Sequence, residues 1–231
     1  MMRVMIEKAK PFIKSAFPGG VRMYRRLRAA RQPDRTMQQI FSSIYKENSW
    51  GNPESVSGRG STIARTGTIR SALPDLLASI DARSMLDAGC GDFHWMRHVD
   101  LGNVDYIGWD VVSDIIISNH RLYASERRKF FLQDATKDQI PGVDVILCRE
   151  CFIHLSFKHI RDTIKNFKRS KAKFLLATTH VSVSENHDAQ TGGWRSLNLQ
   201  IPPFNFPNAL RLIMEDREAG KCLGLWRMDE L

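Results

Sequence analysis

At 231 residues, the chain can bury a full hydrophobic core and suits one α/β domain with an extension. No apolar run approaches the ~20 residues of a membrane-spanning helix, and Glu7, Lys8, Lys10 and Lys14 interrupt any apolar centre of a secretory signal. Of the net charge of +9, residues 1–35 hold +8, with ten Lys or Arg against Glu7 and Asp34, so the remainder is close to neutral and no broad phosphate-binding surface is expected on it. Cys90, Cys148, Cys151 and Cys222 are too few and too scattered for a disulfide framework, and a reducing cytoplasm is the expected setting.

Residues 1–35 form a basic N-terminal extension, and residues 36–231 form the domain. At 100° per residue, Met2, Met5, Ile6, Ala9, Ile13 and Ala16 share one face, with Arg3, Lys10 and Lys14 opposite and Pro11 imposing a kink or a late start. Residues 1–33 are therefore expected either on an anionic membrane surface, at its inner face, or as a solvated or partner-packed tail. A helical pattern follows over Thr36–Tyr45. The stretch "NSWGNPESVSGRGST" then reads as a loop closing over a ligand, with Trp50 as an apolar lid. A second helix is expected from Ser61 or Thr62 through Leu77, with Ile69, Leu73, Leu76 and Leu77 inward and Arg70 free to meet a ligand carboxylate.

Strand candidates then alternate with helices. The strands are "SMLDAG", "VDYIGWDV", "KFFLQDA", "VDVILCR" and "KFLLATTH", and the helices span about Phe93–His98, Ser113–Glu126 and Phe157–Arg169. This alternation predicts a doubly wound, mostly parallel sheet covered on both faces. After His180 the alternation fails. A loop containing "GGWRSLNLQIPPFNFP" leads to "ALRLIME" and "KCLGLWRM", which can pair as a terminal antiparallel unit.

In open parallel sheets, ligands bind beyond the carboxyl ends of the strands where the strand order reverses. The first strand ends in Asp87-Ala88-Gly89-Cys90-Gly91-Asp92, where two glycines remove side chains at the expected approach to a ligand. A dinucleotide fingerprint needs a third glycine three residues later, but this chain has His94 there. Asp87 and Asp92 would repel a pyrophosphate and suit a ligand carrying a cationic amine and sulfonium, which favours S-adenosylmethionine over NAD. Asp110 closes the second strand, where a carboxylate can accept both ribose hydroxyl protons. Asp134 closes the third, within reach of an adenine amino group.

These residues resemble the class I S-adenosylmethionine-dependent methyltransferases with a Rossmann-like seven-stranded sheet. The resemblance runs from about Thr36 to Leu231. It places the glycine-rich motif at Asp87–Gly91, the ribose acid at Asp110 and the adenine-side acid at Asp134. The cofactor set it implies also takes in Val111, Ala135, Cys148 and Arg149. "SVSGRGST", "CGDFHWM", "LCRECFIHLS", "GWRSLNLQIPPFNFP" and "LGLWRMDEL" together resemble a bacterial subgroup loosely associated with glycan and surface-polysaccharide modification.

Methyl transfer to a hydroxyl needs an aligned acceptor and a base. His154, just past the fourth strand, is the first candidate, with a helix-capping or core role as the alternative; His180 is the second. Arg149 and Glu150 are expected to orient a polar acceptor or, more simply, to pair with each other. Trp194 and Phe204 offer stacking faces, and Arg195 and Asn198 offer hydrogen bonds, as a sugar would want; packing at the sheet edge is the alternative. Cys148-x-x-Cys151 lacks a second ligand pair and His187-Asp188 is isolated, so no metal site is expected. The expected acceptor is a hydroxyl of a sugar, glycolipid or polysaccharide precursor. Nucleic-acid methylation is disfavoured because "RECFIH" stands where a base-stacking motif would follow the fourth strand, and a non-catalytic cofactor-binding scaffold is the remaining alternative.

Overall fold

The computed structural model describes residues 35–231, of which Met37–Leu231 form one compact unit. The membrane-surface expectation for residues 1–33 lies outside the described residues. Among the described residues, no helix is long and apolar enough to cross a membrane.

Seven strands form one sheet: β1 (Ser84–Ala88), β2 (Asp105–Asp110), β3 (Arg128–Leu132), β4 (Val145–Cys148), β5 (Phe174–His180), β6 (Arg211–Asp216) and β7 (Lys221–Arg227). Their order is β3-β2-β1-β4-β5-β7-β6. Strands β1 to β5 pair in parallel, and β7 runs antiparallel between β5 and β6. The order reverses between β1 and β4, so the carboxyl ends of those two strands diverge around a crevice. Each strand inherits its two faces from period-two alternation. Leu86, Ala88, Ile146, Cys148, Leu175, Ala177 and Trp226 pack with Ile160 and Phe167 of α4 (Phe157–Arg169) and with Met37 of α1 (Met37–Lys46). Met85, Tyr106, Val145, Leu147, Leu176, Leu223 and Leu225 pack with Ile69, Leu73, Leu76 and Leu77 of α2 (Gly67–Ser79) and with Ile116 of α3 (Ser113–Tyr123).

Two expected helices differ in ways that shape the crevice. The segment after β1 makes a single 3₁₀ turn, Met96–His98, because Gly91 and Phe93 both have positive φ, +56° and +57°. Phe93 accepts this conformation because its ring is buried against Tyr106, Tyr123 and Phe130, with centroids 5.1–5.2 Å away. The second helix begins at Gly67, six or five residues later than expected, because Arg59–Ser61 form a separate 3₁₀ turn and Thr62 is extended. No helix follows β5. Instead the 181–210 loop is stitched to the sheet edge by His180 N–H to Leu197 O, Leu199 N–H to Thr179 Oγ1 and the Trp226 indole N–H to Pro207 O.

Trp226 also explains Gly224, two residues earlier on the same face of β7. A Cβ on Gly224 would run into the Trp226 indole. That ring is 1% exposed and packs edge-on to Phe206 at 5.4 Å, so it has nowhere to move. Gly224→Ala is expected to cost about 1–3 kcal/mol, the usual range for overpacking a core, read as a lowered urea midpoint at unchanged m-value.

Candidate active site

The crevice is an open cleft of about 1080 Å³, counting the space at its mouth. It lies beyond the carboxyl ends of β1, β2, β3 and β4. Its walls come from Asp87, Gly89, Cys90 and Gly91 after β1, Asp110–Val112 after β2, Gln133–Thr136 after β3, and Arg149–Cys151 and His154 after β4. A further wall is largely apolar. Met37, Phe41 and Tyr45 stand four residues apart along α1, and Trp50 and Val56 follow from the adjoining loop.

The β1 corner is built around Asp110. One carboxylate oxygen accepts from Gly91 N–H at 3.0 Å and the other from Val112 N–H at 3.0 Å, so a single side chain ties the turns after β1 and β2 together. Gly89 and Cys90 donate their amides to the Trp109 carbonyl. Both glycines line the cleft, and the protein's own packing also requires them. Gly89 has φ +84°, and a Cβ there would press on Cys151 Sγ at 3.3 Å. Gly91 has φ +56°, and a Cβ there would overlap the Ser57 side chain.

The three strand-end acids are brought together on the cleft, each with a different degree of engagement. Asp87 is 4% exposed and accepts from the Tyr106 hydroxyl at 2.8 Å; burial pushes its pKa up to about 7. Burial also raises Asp110, against the lowering influence of its amide donors. Asp134 lies two residues past β3 rather than closing it, and one of its oxygens accepts from Thr136 N–H and Oγ1–H. Val111, Ala135 and Cys90 also line the cleft, whereas Cys148 is fully buried and is not among the lining residues.

Asp92 is placed differently from the expectation. Its carboxylate accepts from Ser55 Oγ (2.9 Å), Val56 N–H (3.0 Å) and Ser57 Oγ (3.1 Å), so it clamps the 52–58 loop against the β1 corner instead of facing the cleft. Arg70 is not at the cleft either. Its guanidinium donates to Thr66 Oγ1 and Ile63 O, one turn back along its own helix and the preceding loop.

Arg149 and Glu150 do not pair with each other. Arg149 forks onto Glu215 of β6 at 2.6–3.2 Å, donates to Gly60 O at 2.9 Å and lies 5.0 Å from the Trp95 ring centre. Glu150 Oε1 accepts from Lys221 Nζ of β7 at 2.6 Å, and Lys221 also meets Glu215 at 3.2 Å. The alternating quartet Arg149–Glu215–Lys221–Glu150 links the turn after β4 to β6 and β7, with Arg149 and Glu215 buried and Lys221 and Glu150 partly exposed. Glu150 reaches it from a left-handed backbone, φ +55°. Glu215 and Lys221 were missed from sequence, since nothing local marks the meeting of Glu215 with Arg149, sixty-six residues away, or of Lys221 with Glu150.

His154 stands on the 3₁₀ turn Phe152–His154 and faces the cleft beside Trp50, ring centres 4.8 Å apart. Its Nδ1 is 2.7 Å from Gly193 O, and a carbonyl only accepts, so Nδ1 carries the hydrogen and Nε2 the lone pair. Burial holds the ring below its ordinary pKa, so it is neutral at pH 7. His180 is elsewhere: 2% exposed, with Nδ1 accepting from Leu197 N–H at 3.3 Å, it supports the loop after β5 rather than the cleft. The four expected acceptor contacts are not at the cleft. Trp194 is 64% exposed, Asn198 is buried in bonds to Val183, Asn186 and Gln200, Phe204 packs edge-on to Phe157, and Arg195 lies over Phe157 and donates to Phe152 O. Arg195, Asn198 and Phe204 use their side chains to hold the loop in place, whereas Trp194 is exposed. Asp188 accepts from Phe157 N–H, and among the described residues no group of three His, Cys, Asp or Glu could hold a metal ion.

No family model matches the sequence, and no curated protein is similar to it in sequence. Solved structures of similar fold include the N-methyltransferase NodS from Bradyrhizobium japonicum WM9 in complex with S-adenosyl-L-homocysteine, 13% identical over 80% of this chain and 97% of that one, TM-score 0.58. They also include magnesium protoporphyrin IX methyltransferase (ChlM) from Synechocystis PCC 6803 with bound S-adenosylmethionine, 13% identical over 85% and 99%, TM-score 0.56. A third is the Burkholderia thailandensis 1,6-didemethyltoxoflavin-N1-methyltransferase with bound 1,6-didemethyltoxoflavin and S-adenosylhomocysteine, 14% identical over 83% and 86%, TM-score 0.56. The chain has the class I methyltransferase fold. The 3₁₀ turns at Arg59–Ser61 and Phe152–His154 bring Ser61 and His154 to the cleft.

Glu215, with its side chain fully buried, is the shared anion of the quartet. Glu215→Ala leaves Arg149 without its carboxylate and is expected to destabilise the fold by about 3–5 kcal/mol in urea titration, as for other broken buried pairs.

Proposed function

We propose that this chain is an S-adenosylmethionine-dependent methyltransferase acting on a hydroxyl of a small molecule, with His154 as the base. The observation that carries the donor assignment is the charge of the cleft. Asp87, Asp110, Asp134 and Glu150 line it, while Arg149, the one lining cation among the described residues, is already neutralised by Glu215. Such a lining disfavours a pyrophosphate and suits a ligand that bears an ammonium and a sulfonium. The aromatic and aliphatic wall of Phe41, Trp50, Val111 and Ile115 suits an adenosyl group. The fold likeness to structures holding S-adenosylmethionine or its demethylated product supports the same reading.

The residues present fit that donor. Asp110 would accept from ribose hydroxyls with the lone pairs left beyond its two amide donors, Asp134 would meet the adenine side, and Asp87 would sit near the cationic end. When bound, S-adenosylmethionine supplies an electrophilic methyl group. The chain's own part is to line the cleft with Trp50 and the Asp92-clamped loop, and to take the acceptor's proton at His154 Nε2. That nitrogen makes no hydrogen bond to any described residue, and its lone pair is available at neutral pH because the other nitrogen is committed to Gly193 O. An acceptor whose nucleophilic atom carries an acidic enough hydrogen, such as a hydroxyl, uses this base; an already free amine does not need it.

The sugar acceptor inferred from "GGWRSLNLQIPPFNFP" has no support in the geometry, because Trp194, Arg195, Asn198 and Phe204 all lie off the cleft. A cleft rich in carboxylates instead favours a neutral or cationic acceptor over a phosphorylated or carboxylated one. Association of the basic residues 1–33 with an anionic membrane surface remains part of this reading on charge alone.

Titration calorimetry with S-adenosylmethionine tests the donor. Binding near pH 7 is expected to release protons, because a bound cation favours the ionised form of Asp87, whose pKa stands at about 7 in the free protein. The release shows as a binding enthalpy that varies with the buffer's ionisation enthalpy, and Asp87→Asn should remove it. Asp110→Ala should weaken binding by about 10- to 150-fold, equivalent to about 1.5–3 kcal/mol for hydrogen bonds to a charged group. Unaltered affinity in Asp110→Ala would refute the ribose assignment. A turnover screen over phenolic, alcoholic and amine acceptors tests the chemistry. On any acceptor found, His154→Ala is expected to keep donor affinity and lower kcat by about 10²–10⁴.

A further inference from the structure

The 3₁₀ turn that carries His154 is gripped by a loop nearly forty residues later, and the grip is continuous. Gly192 N–H donates to His154 O at 2.8 Å, Gly193 O receives His154 Nδ1–H at 2.7 Å, and Arg195 N–H donates to Ile153 O at 3.2 Å. The Arg195 side chain adds a further bond, Nη1–H to Phe152 O at 2.9 Å, with its guanidinium 5.5 Å from the Phe157 ring centre. Each of the three residues Phe152–His154 therefore has its carbonyl held by the 192–195 segment. Thr191 closes the near side by accepting from Ser156 N–H and bonding His159 Nδ1.

Arg195 is an expensive choice for a purely structural anchor. Its Nε and Nη2 atoms are buried and take no partner among the described residues, and no carboxylate forms an ion pair with it. Burying an under-satisfied guanidinium costs stability, whereas an apolar side chain over Phe157 would pack without that penalty. What it holds in return is the backbone on both sides of the Gly193 carbonyl and the catalytic ring.

We propose that Arg195 is the positioning residue of the proposed base: it clamps the Phe152–His154 turn to the 192–195 segment, so that the Gly193 carbonyl holds His154 as the Nδ1–H tautomer and Nε2 is the nitrogen left to take a proton. The functional meaning rests on the methyltransferase reading, but the tautomer does not. The charged groups that act on His154 are Glu150, from the turn after β4, and Arg195 itself, with Asp188 acting on Arg195. Glu150 raises the His154 pKa and Arg195 lowers it, so loss of Arg195 moves it upward, toward the ordinary 6.5.

Long-range ¹H–¹⁵N NMR of histidine-labelled protein reads this without donor or acceptor. Wild-type His154 is expected as Nδ1–H, with a titration midpoint below 6.5. In Arg195→Met, which keeps an apolar contact with Phe157, Nε2–H is expected to gain population and the midpoint to rise. Arg195→Lys, which keeps a cation and one donor for Phe152 O, should hold the wild-type tautomer. On an acceptor found in the screen, Arg195→Met should lower kcat at least tenfold at unchanged donor affinity and shift the acidic limb of the pH profile upward. An Nε2–H ring in the wild type overturns the proposal even if Arg195→Met does not fold, and so does a wild-type tautomer and midpoint in Arg195→Met. Failure of the methyltransferase reading shows separately, as absent S-adenosylmethionine binding with the Nδ1–H ring intact.

Discussion

The fork between Arg149 and Glu215 is the contact on which the site's architecture depends. It joins the end of β4, in the parallel half of the sheet, to β6 in the antiparallel half, and through Gly60 it reaches the loop that forms one wall of the cleft. Two ions with side chains 2% and 0% exposed persist only because each is satisfied several times over. Arg149 has Glu215, the Gly60 carbonyl and the face of Trp95, while Glu215 has Arg149 and Lys221. Lys221 passes the arrangement on to Glu150, whose left-handed backbone is held in place at the cleft's floor. A cation is thus present beneath a cleft of carboxylates without offering a free charge to a ligand.

That arrangement gives the cleft two chemical halves. Toward β1, β2 and β3 lie the acids, each restrained by amides or hydroxyls so that it keeps its direction: Asp87 by Tyr106, Asp110 by Gly91 and Val112, Asp134 by Thr136. Toward β4 and α1 lie Trp50, Phe41 and His154, a mostly apolar region with one basic nitrogen and, at its floor, the Lys221-paired Glu150. The acids suit a cationic, ribose-bearing donor, and burial in the other half lowers the proton affinity of the His154 imidazole.

The strands and their directions were readable because they are local properties. "SMLDA", "DYIGWD", "VILC" and "FLLATTH" carry apolar residues in runs that only a doubly covered sheet can bury, and α4 began and ended at Phe157 and Arg169 as its periodicity indicates. The glycine corner and the three strand-end acids were also legible, since strand ends in one parallel sheet share one edge. Helix Phe93–His98 was misread because its pattern is helical while the burial of Phe93 forces a positive φ, a tertiary demand with no local mark. Arg70, Asp92 and the loop residues Trp194, Arg195, Asn198 and Phe204 were read as ligand contacts from side-chain chemistry alone. Arginine, aspartate and asparagine bond a neighbouring backbone as readily as a ligand, and only the packing decides which is nearer.

By itself the sequence determined the α/β class, the positions of the strands, the basic character of residues 1–35 and the presence of acids at three consecutive strand ends. All of these follow from periodicity, turn chemistry and charge within short windows. Only the tertiary structure decided that Arg149 meets Glu215 rather than Glu150, that Met37, Phe41 and Tyr45 wall the cleft, and that a carbonyl thirty-nine residues away sets the tautomer of His154. Those contacts join segments distant along the chain, and their partners are selected by the geometry of the packed sheet rather than by any preference expressed in the residues' own neighbourhood.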